Sequence, residues 1–187
     1  FDNNSYDPIH IHTDQLNNIY IIGSYQSNDN NSIGGISLYS GGVGETFFIA
    51  KYDSTGVIIS VISEPVGSQS AFDIKSSIVD NYGNIFVGGR IQISSYEYEV
   101  FIRKYSTTNL TFVDEEISSS NTSGGGWNNV VYDIVSDGSG GVYLAGSYED
   151  NMIIGGVYLA ADNTNNNQGV VFHWNSSGNV PWANSIG

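Results

Sequence analysis

A turn and the strand that follows it occur three times along this chain. The three copies read DQLNNIYIIGS from Asp14, DNYGNIFVGGR from Asp80 and DGSGGVYLAGS from Asp137. Self-similarity at this spacing is typical of repeat architectures, in which each unit adds one supersecondary element and cannot bury its apolar face alone. The chain is therefore expected to consist of three structural repeats.

A second block follows each copy of the first. It reads FFIAKYDSTGVII at 47–59, VFIRKYSTTNLTF at 100–112 and GVVFHWNSSGNVP at 169–181. Gly56, Asn109 and Gly178 share one position of this block, and these residue types best tolerate a left-handed backbone. The block predicts a hairpin whose short loop contains a type I turn and a bulge.

Each repeat predicts four short strands. In the middle repeat they lie near 74–79, 85–91, 100–105 and 110–116. The second strand is apolar without alternation, which is typical of a strand buried on both faces. Isoleucine, valine, tyrosine and glycine are abundant while alanine and leucine are scarce, which also favours strands and turns. We predict an all-β fold of propeller-type blades, each of about four antiparallel strands, at 1–68, 69–123 and 124–187.

The order of an Asp turn, a Gly-Asn-aromatic strand and an F-x-x-K-aromatic hairpin resembles the bacterial β-propeller repeat family often abbreviated SBBP, as does the ending GNVPWANSIG at 178–187. The middle repeat departs most, with Asn109 at a Gly position and Thr111-Phe112 where the ending has Pro181-Trp182. The resemblance implies a propeller in a secreted or surface-exposed setting and no particular catalytic residue. Propellers typically have about 4–8 blades. Three repeats therefore predict an arc of a larger propeller, a ring completed by self-association, or an open stack.

Charge and composition limit the partners. Asp and Glu number 19 against 5 Lys and Arg, for a net charge of −14, which repels nucleic acid and anionic membrane surfaces. No apolar run approaches the roughly 20 residues of a membrane helix, so no membrane insertion is predicted. The absence of cysteine excludes disulfides and thiolate zinc sites. This composition favours an extracellular, cell-surface or virion-surface location.

Calcium is the one cofactor for which the sequence offers candidate ligands. Asp14, Asp80 and Asp137 begin the repeated turns, and carboxylate oxygens are the ligands that calcium prefers. The alternative, which we favour, is that these side chains accept hydrogen bonds from turn amides. His10 and His12 lie two apart in a predicted strand, so they share a face and form a candidate pair for a transition metal.

Aromatic side chains supply the candidate glycan contacts, because such rings can stack on sugars; the alternative is packing between blades. Trp127 lies outside the repeat pattern and is the candidate for an exposed contact. The few cations, Lys51, Lys104 and Arg103, are expected to pair with carboxylates such as Glu97 and Glu99. The candidate binding residues are Trp127, Trp174, Tyr52 and Tyr105.

Five N-x-S/T sequons are candidate glycosylation sites if the chain is exported through a glycosylating pathway. They begin at Asn3, Asn30, Asn109, Asn121 and Asn175.

No catalytic motif is present: the sequence lacks a nucleophile elbow, a zinc-binding H-E-x-x-H and a phosphate-binding glycine loop before a helix. The leading hypothesis is a non-enzymatic structural, assembly or adhesion module. The alternatives are a glycan- or calcium-binding propeller, and a lyase or hydrolase whose residues are spread over several blades.

Overall fold

The computed structural model describes residues 6–26, 31–40, 45–64, 71–120, 128–162 and 167–187. Within these ranges the chain forms strands and no helix, so the all-β prediction is confirmed. None of the described residues belongs to a helix long and apolar enough to cross a membrane. The strands are β1 (Tyr6–Thr13), β2 (Ile19–Gln26), β3 (Ser32–Ile33), β4 (Ile36–Ser37), β5 (Glu45–Tyr52), β6 (Ile58–Ser63), β7 (Phe72–Val79), β8 (Asn84–Ser94), β9 (Glu97–Ser106), β10 (Phe112–Ile117), β11 (Ser119–Ser120), β12 (Val130–Ser136), β13 (Val142–Tyr148), β14 (Met152–Ile154), β15 (Val157–Leu159), β16 (Gln168–Trp174) and β17 (Trp182–Ile186).

Three four-stranded antiparallel sheets correspond to the three repeats. The first sheet has the order β1-β2-β5-β6, the second β7-β8-β9-β10 and the third β12-β13-β16-β17. Each is a meander in which neighbouring strands are antiparallel, as the repeat predicts. The insertion shared by the first and third repeats forms a small hairpin in each, β3-β4 and β14-β15.

The sheets stack face to face in chain order. We call the face of a sheet that is directed toward the next sheet its forward face, and the opposite face its rear face. Tyr20, Phe47 and Ile49, on the forward face of the first sheet, pack with Val87 and Phe101 on the rear face of the second. Phe86, Val100 and Ile102, on the forward face of the second sheet, pack against the rear face of the third. The first strands are also neighbours, because β7 contacts β1 on one side and β12 on the other.

Aromatic rings dominate the junction between the first and second sheets. Phe47, Phe72 and Phe101 are all nearly fully buried, and their ring centroids lie 5.0–6.3 Å apart. Edge-on and offset ring pairs of this kind add to the stabilisation from burial alone. At the next junction Phe86 packs edge-on against Trp174, with centroids 5.9 Å apart.

Glycines allow the second strand of a sheet to pass close to the first. A Cβ on Gly89 would lie 2.1 Å from the Asp73 carbonyl oxygen, and a Cβ on Gly146 would lie 2.1 Å from that of Val130. Both positions face a β-bulge in the first strand. Gly89 and Gly146 are therefore required at these positions, because a side chain would collide with the backbone of the neighbouring strand.

The hairpin turn of the second block differs between the repeats. Gly56 and Gly178 have φ values of 83° and 79°, but in the middle repeat the left-handed residue is Leu110, with φ 56°, and not Asn109. The amide of Ser106 bonds to the carbonyl of Thr111, a span one residue longer than in the other two turns. The predicted role of Asn109 is therefore wrong by one residue. Leu110 is buried, which offsets the roughly 1–2 kcal/mol cost of a left-handed residue.

Candidate functional site

The predicted calcium ligands each close a turn. The Oδ1 atoms of Asp14, Asp80 and Asp137 accept hydrogen bonds from the backbone amides two and four residues later, over 2.6–3.0 Å. Asp53 and Asn175 do the same in the turns that precede β6 and β17. This arrangement is the one that the turn-amide interpretation predicts.

The second oxygens of these carboxylates also have donors. Asp14 Oδ2 accepts hydrogen bonds from Asn18 and Tyr20, and Asp137 Oδ2 lies 2.8 Å from His173 Nε2. Burial tends to raise the pKa of Asp137, but hydrogen bonds from His173 and Ser139 outweigh burial and lower that pKa to about 2. A calcium ion would have to displace these donors. Across the part of the chain that the structure describes, no three His, Cys, Asp or Glu side chains cluster as a metal site would require.

The predicted aromatic contacts have different environments. Tyr105 and Trp174 are 0% and 1% exposed, so their rings pack between sheets and present no face to a sugar. Tyr52, at the equivalent position of the first sheet, is half-buried on that sheet's rear face. Trp127 lies outside the described residues.

Two of the five sequons lie in described turns. Asn109 is exposed and its Oδ1 accepts a hydrogen bond from the Thr111 hydroxyl, whereas Asn175 uses its Oδ1 to close its own turn. Asn3, Asn30 and Asn121 lie outside the described residues.

Two of the cations act differently from the prediction. Lys51 Nζ donates to the Thr107 carbonyl of the second sheet at 2.7 Å, and Lys104 Nζ lies 3.3 Å from the Gly140 carbonyl of the third. Each lysine therefore links its sheet to a turn of the next sheet, and the expected pairing with Glu97 or Glu99 is wrong for both.

Arg103 does pair with carboxylates, though not with the expected ones. Its guanidinium contacts Glu64 at 2.6 Å and Glu115 at 2.9 Å. The Tyr105 hydroxyl donates to the other oxygen of Glu64 at 2.7 Å. Because Glu64 directly follows β6, this ion pair also joins the first sheet to the second.

His10 and His12 lie side by side at the junction of β1 and β7, with ring centroids 6.1 Å apart. His12 Nε2 is 2.9 Å from the Ser77 hydroxyl, and His10 Nε2 is buried with no hydrogen-bond partner. Burial lowers the pKa of both rings, and the charge of His10 lowers that of His12 further. The pair shares a face as predicted, and its metal-binding role stays a prediction.

A row of exposed side chains lies on the forward face of the third sheet, which we call the open face. Val135, Tyr143, His173 and Trp182 are successive cross-strand partners over all four strands. Val135, Tyr143 and Trp182 are 50%, 40% and 36% exposed. The ring centroids of His173 lie 4.8 Å from Tyr143 and 6.2 Å from Trp182.

The equivalent rows in the other two sheets are covered. In the first sheet His12, Tyr20, Lys51 and Ser60 are cross-strand partners, and Tyr20 is fully buried by the second sheet. In the second sheet Phe86 takes the position of Tyr20 and is likewise fully buried. The forward face is therefore buried in a junction in the first and second sheets, and it is exposed in the third sheet.

The opposite end of the stack, the rear face of the first sheet, is partly covered by its own chain. Tyr25, Phe48 and Ala50 are buried together with Leu38, which follows the β3-β4 hairpin. The Tyr25 hydroxyl donates to the Tyr39 carbonyl at 2.9 Å. Toward the turn end of the same face, Ile19, Ile21 and Tyr52 are only half-buried.

Comparison with protein-family models and with curated protein sequences gives no match to this chain. The SBBP resemblance therefore stays an inference from the quoted motifs. Of the open-face side chains, Trp182 is one of the aromatic residues that the sequence allows to stack on sugars, and His173 lies at the repeat position of Lys51 and Lys104. Tyr143 was not singled out, since its equivalents Tyr20 and Phe86 have the same pattern and are buried.

Proposed function

We propose that this chain is a non-enzymatic structural module, an arc of three propeller-type blades that works by assembly with further sheets of the same kind. The observation that carries the proposal is the repeated use of the forward face. Each junction joins a forward face to the rear face of the next sheet, whereas none of the described residues covers the forward face of the third sheet. Exposed apolar faces of this kind mark association sites.

The contacts near the first strands support a propeller-type arrangement. Blades of a propeller place their first strands around a common axis. Here β1, β7 and β12 are successive neighbours, and the Ser76 hydroxyl lies 3.3 Å from Asp133 Oδ1 across two of them. Ser76 and Asp133 occupy the same repeat position, which His10 occupies in the first sheet.

The setting we propose is extracellular, on a cell or virion surface, with a role in assembly or adhesion. The strongly acidic composition and the lack of cysteine fit such a setting. The described residues offer no arrangement that we assign to catalysis.

Glycan binding is a second candidate function, favoured by the open face itself. The rings of Tyr143, His173 and Trp182 are inclined to one another by only 31–39°, so they form a shallow aromatic surface on which sugar rings could stack.

The test is the mass of the intact native particle, by light scattering or mass photometry, with peptide mapping of both termini. Assembly predicts a particle whose mass is a multiple of the 20.2 kDa chain, or a longer polypeptide that supplies further repeats. A stable particle of one 20.2 kDa chain at micromolar concentration would contradict the proposed function.

A further inference from the structure

We infer that the open face binds the rear face of the first sheet of a second copy of this chain, head to tail. The inference rests on the proposed function, because it names the partner for assembly. The partner surface is a sheet of the same repeat type, supplied by an identical chain.

The two internal junctions show which contacts a docked sheet would make with the open face. At the first, Lys51 donates to the carbonyl of Thr107, in the turn between β9 and β10. At the second, Lys104 lies 3.5 Å from the carbonyl of Ser176, in the equivalent turn between β16 and β17. The lysine of a forward face thus reaches the same turn of the next sheet each time.

The first and third sheets, at the two ends of the stack, contain the positions that match these contacts. His173 occupies the lysine position on the open face, and Ser54 occupies the position of Thr107 and Ser176 in the turn between β5 and β6. Ser54 is exposed. A second copy that continues the stack would bring these two positions together.

The rear face of the first sheet has apolar side chains left partly uncovered at the positions that the internal junctions bury. Tyr52 is half-buried, whereas its equivalents Tyr105 and Trp174 have essentially no exposure. Ile19 is half-buried too, while Ile85 and Val142 at the same repeat position are 0% exposed. These are the positions expected to be buried when another forward face docks.

The turn glycines show the same difference. A Cβ on Gly178 would lie 2.0 Å from the carboxylate of Asp114, a residue on the last strand of the second sheet. Gly56, the equivalent in the first sheet, has no atom within 4 Å of such a Cβ. Trp182 pairs with His173 as Asp114 pairs with Lys104, so its structural equivalent is Asp114 and not Phe112, with which the sequence aligned it. The space beside Gly56 is therefore where the indole of a second copy would lie.

This contact is heterologous, since two different surfaces meet, so it closes into a ring or continues as a filament according to its rotation. Two chains of charge −14 repel each other, so association should strengthen as salt screens that repulsion.

Three matched Tyr-to-Lys substitutions, studied by analytical ultracentrifugation, test the inference. Tyr143→Lys places a charge on the open face and Tyr52→Lys on the rear face of the first sheet. Tyr96→Lys is the control, because Tyr96 is 78% exposed in the turn between β8 and β9. We expect the control to assemble like the wild type, and each of the other two to associate at least about tenfold more weakly.

Mixing the two defective variants distinguishes a head-to-tail contact from the alternatives. Each variant keeps the surface that the other has lost, so a 1:1 mixture should form a two-chain particle that neither forms alone. If Tyr52→Lys proves unstable in a thermal melt, Ser54→Trp blocks the same face from an exposed turn.

Three results would overturn the inference. The first is a rear-face variant that assembles like the wild type, and the second is a mixture that stays monomeric. The third is an open-face variant that assembles normally but loses binding on a glycan array, which would make the open face a sugar platform. In each case a wild type that assembles leaves the proposed function intact, whereas a monomeric wild type contradicts that function itself.

Discussion

The two end faces of the stack are built from the same repeat and differ in how much of them is covered. Residues 31–40 cover part of the first sheet's rear face, where Phe48 and Ala50 are buried. The third sheet's forward face has no equivalent cover among the described residues, and Tyr143 and Trp182 are exposed. A repeat therefore specifies the sheet, while the segments between its strands determine which end face is covered.

The shared insertion illustrates this difference. In the third repeat, β14 pairs with β11, a strand that follows the last strand of the second sheet. Glu116 of the second sheet also accepts a hydrogen bond from the Gly155 amide at 2.7 Å. In the first repeat the equivalent hairpin β3-β4 is a sheet of two strands at an end of the stack. One motif thus ties two sheets together in one place and covers an end face in the other.

The largest expected effect compares a covered face with the open one. Phe101→Ala removes a ring from the first junction and should cost about 3–5 kcal/mol of the free energy of unfolding. Tyr143→Ala on the open face should change it by no more than about 0.5 kcal/mol. Urea unfolding, at protein concentrations below those at which the chain associates, measures the free energy of unfolding of both variants. Equal losses would mean that the open face is also packed within one chain.

The two lysines that link neighbouring sheets should contribute unequally to the free energy of unfolding. Lys51 is 8% exposed and its bond to the Thr107 carbonyl is 2.7 Å long. Lys51→Met leaves that buried carbonyl with only the longer 3.4 Å bond from the Tyr20 hydroxyl, so it should cost about 1–3 kcal/mol. The contacts of Lys104 are longer and partly solvated, so Lys104→Met should cost less than about 1 kcal/mol. The same unfolding measurement tests the pair, and a greater loss at Lys104 would reverse the ranking.

Acid should weaken the first junction through His10 and His12. Their pKa values are lowered in the folded state, so the unfolded chain binds more protons once the pH falls below the ordinary value of 6.5. The contribution of the two neutral histidines to stability should be complete above that pH and should decline as the pH falls from there toward 5. The double variant His10→Gln/His12→Gln should show a flatter decline in thermal melts across this range. An unchanged slope would show that these rings do not cause it.

The smallest expected effect concerns calcium. Because the carboxylates of Asp14 and Asp137 already accept hydrogen bonds from turn amides and side chains, we expect millimolar calcium to leave the Tm unchanged. A rise in Tm that Asp137→Asn abolishes would show instead that a turn exchanges its donors for the ion.

Much of the fold could be predicted from the sequence, because each strand is bounded by a turn whose chemistry is local. The Asp residues that open the repeated turns use their side chains as expected from their type. The misplacement of the left-handed residue at Asn109 arose because the middle turn has one extra residue, which an alignment of repeats does not reveal.

The candidate site was harder to predict, because exposure depends on whether another sheet follows. Trp174 and Tyr143 both look like repeat-position aromatics, yet Trp174 is buried by the second sheet while Tyr143 is exposed. The lysine links were missed for a similar reason. Their acceptors, such as the Thr107 carbonyl, are backbone atoms of another sheet. Because every residue has a backbone carbonyl, the sequence does not indicate which one a lysine contacts.

Hydroxyl-radical footprinting of the wild-type chain over a range of protein concentrations measures directly whether the open face becomes buried when chains associate. Oxidation of Tyr143, Trp182 and Tyr52 should fall together as the protein is concentrated, while Tyr96 stays reactive and Trp174 stays protected throughout. If Tyr143 and Trp182 remain as reactive at high concentration as at low, the open face is not an assembly surface.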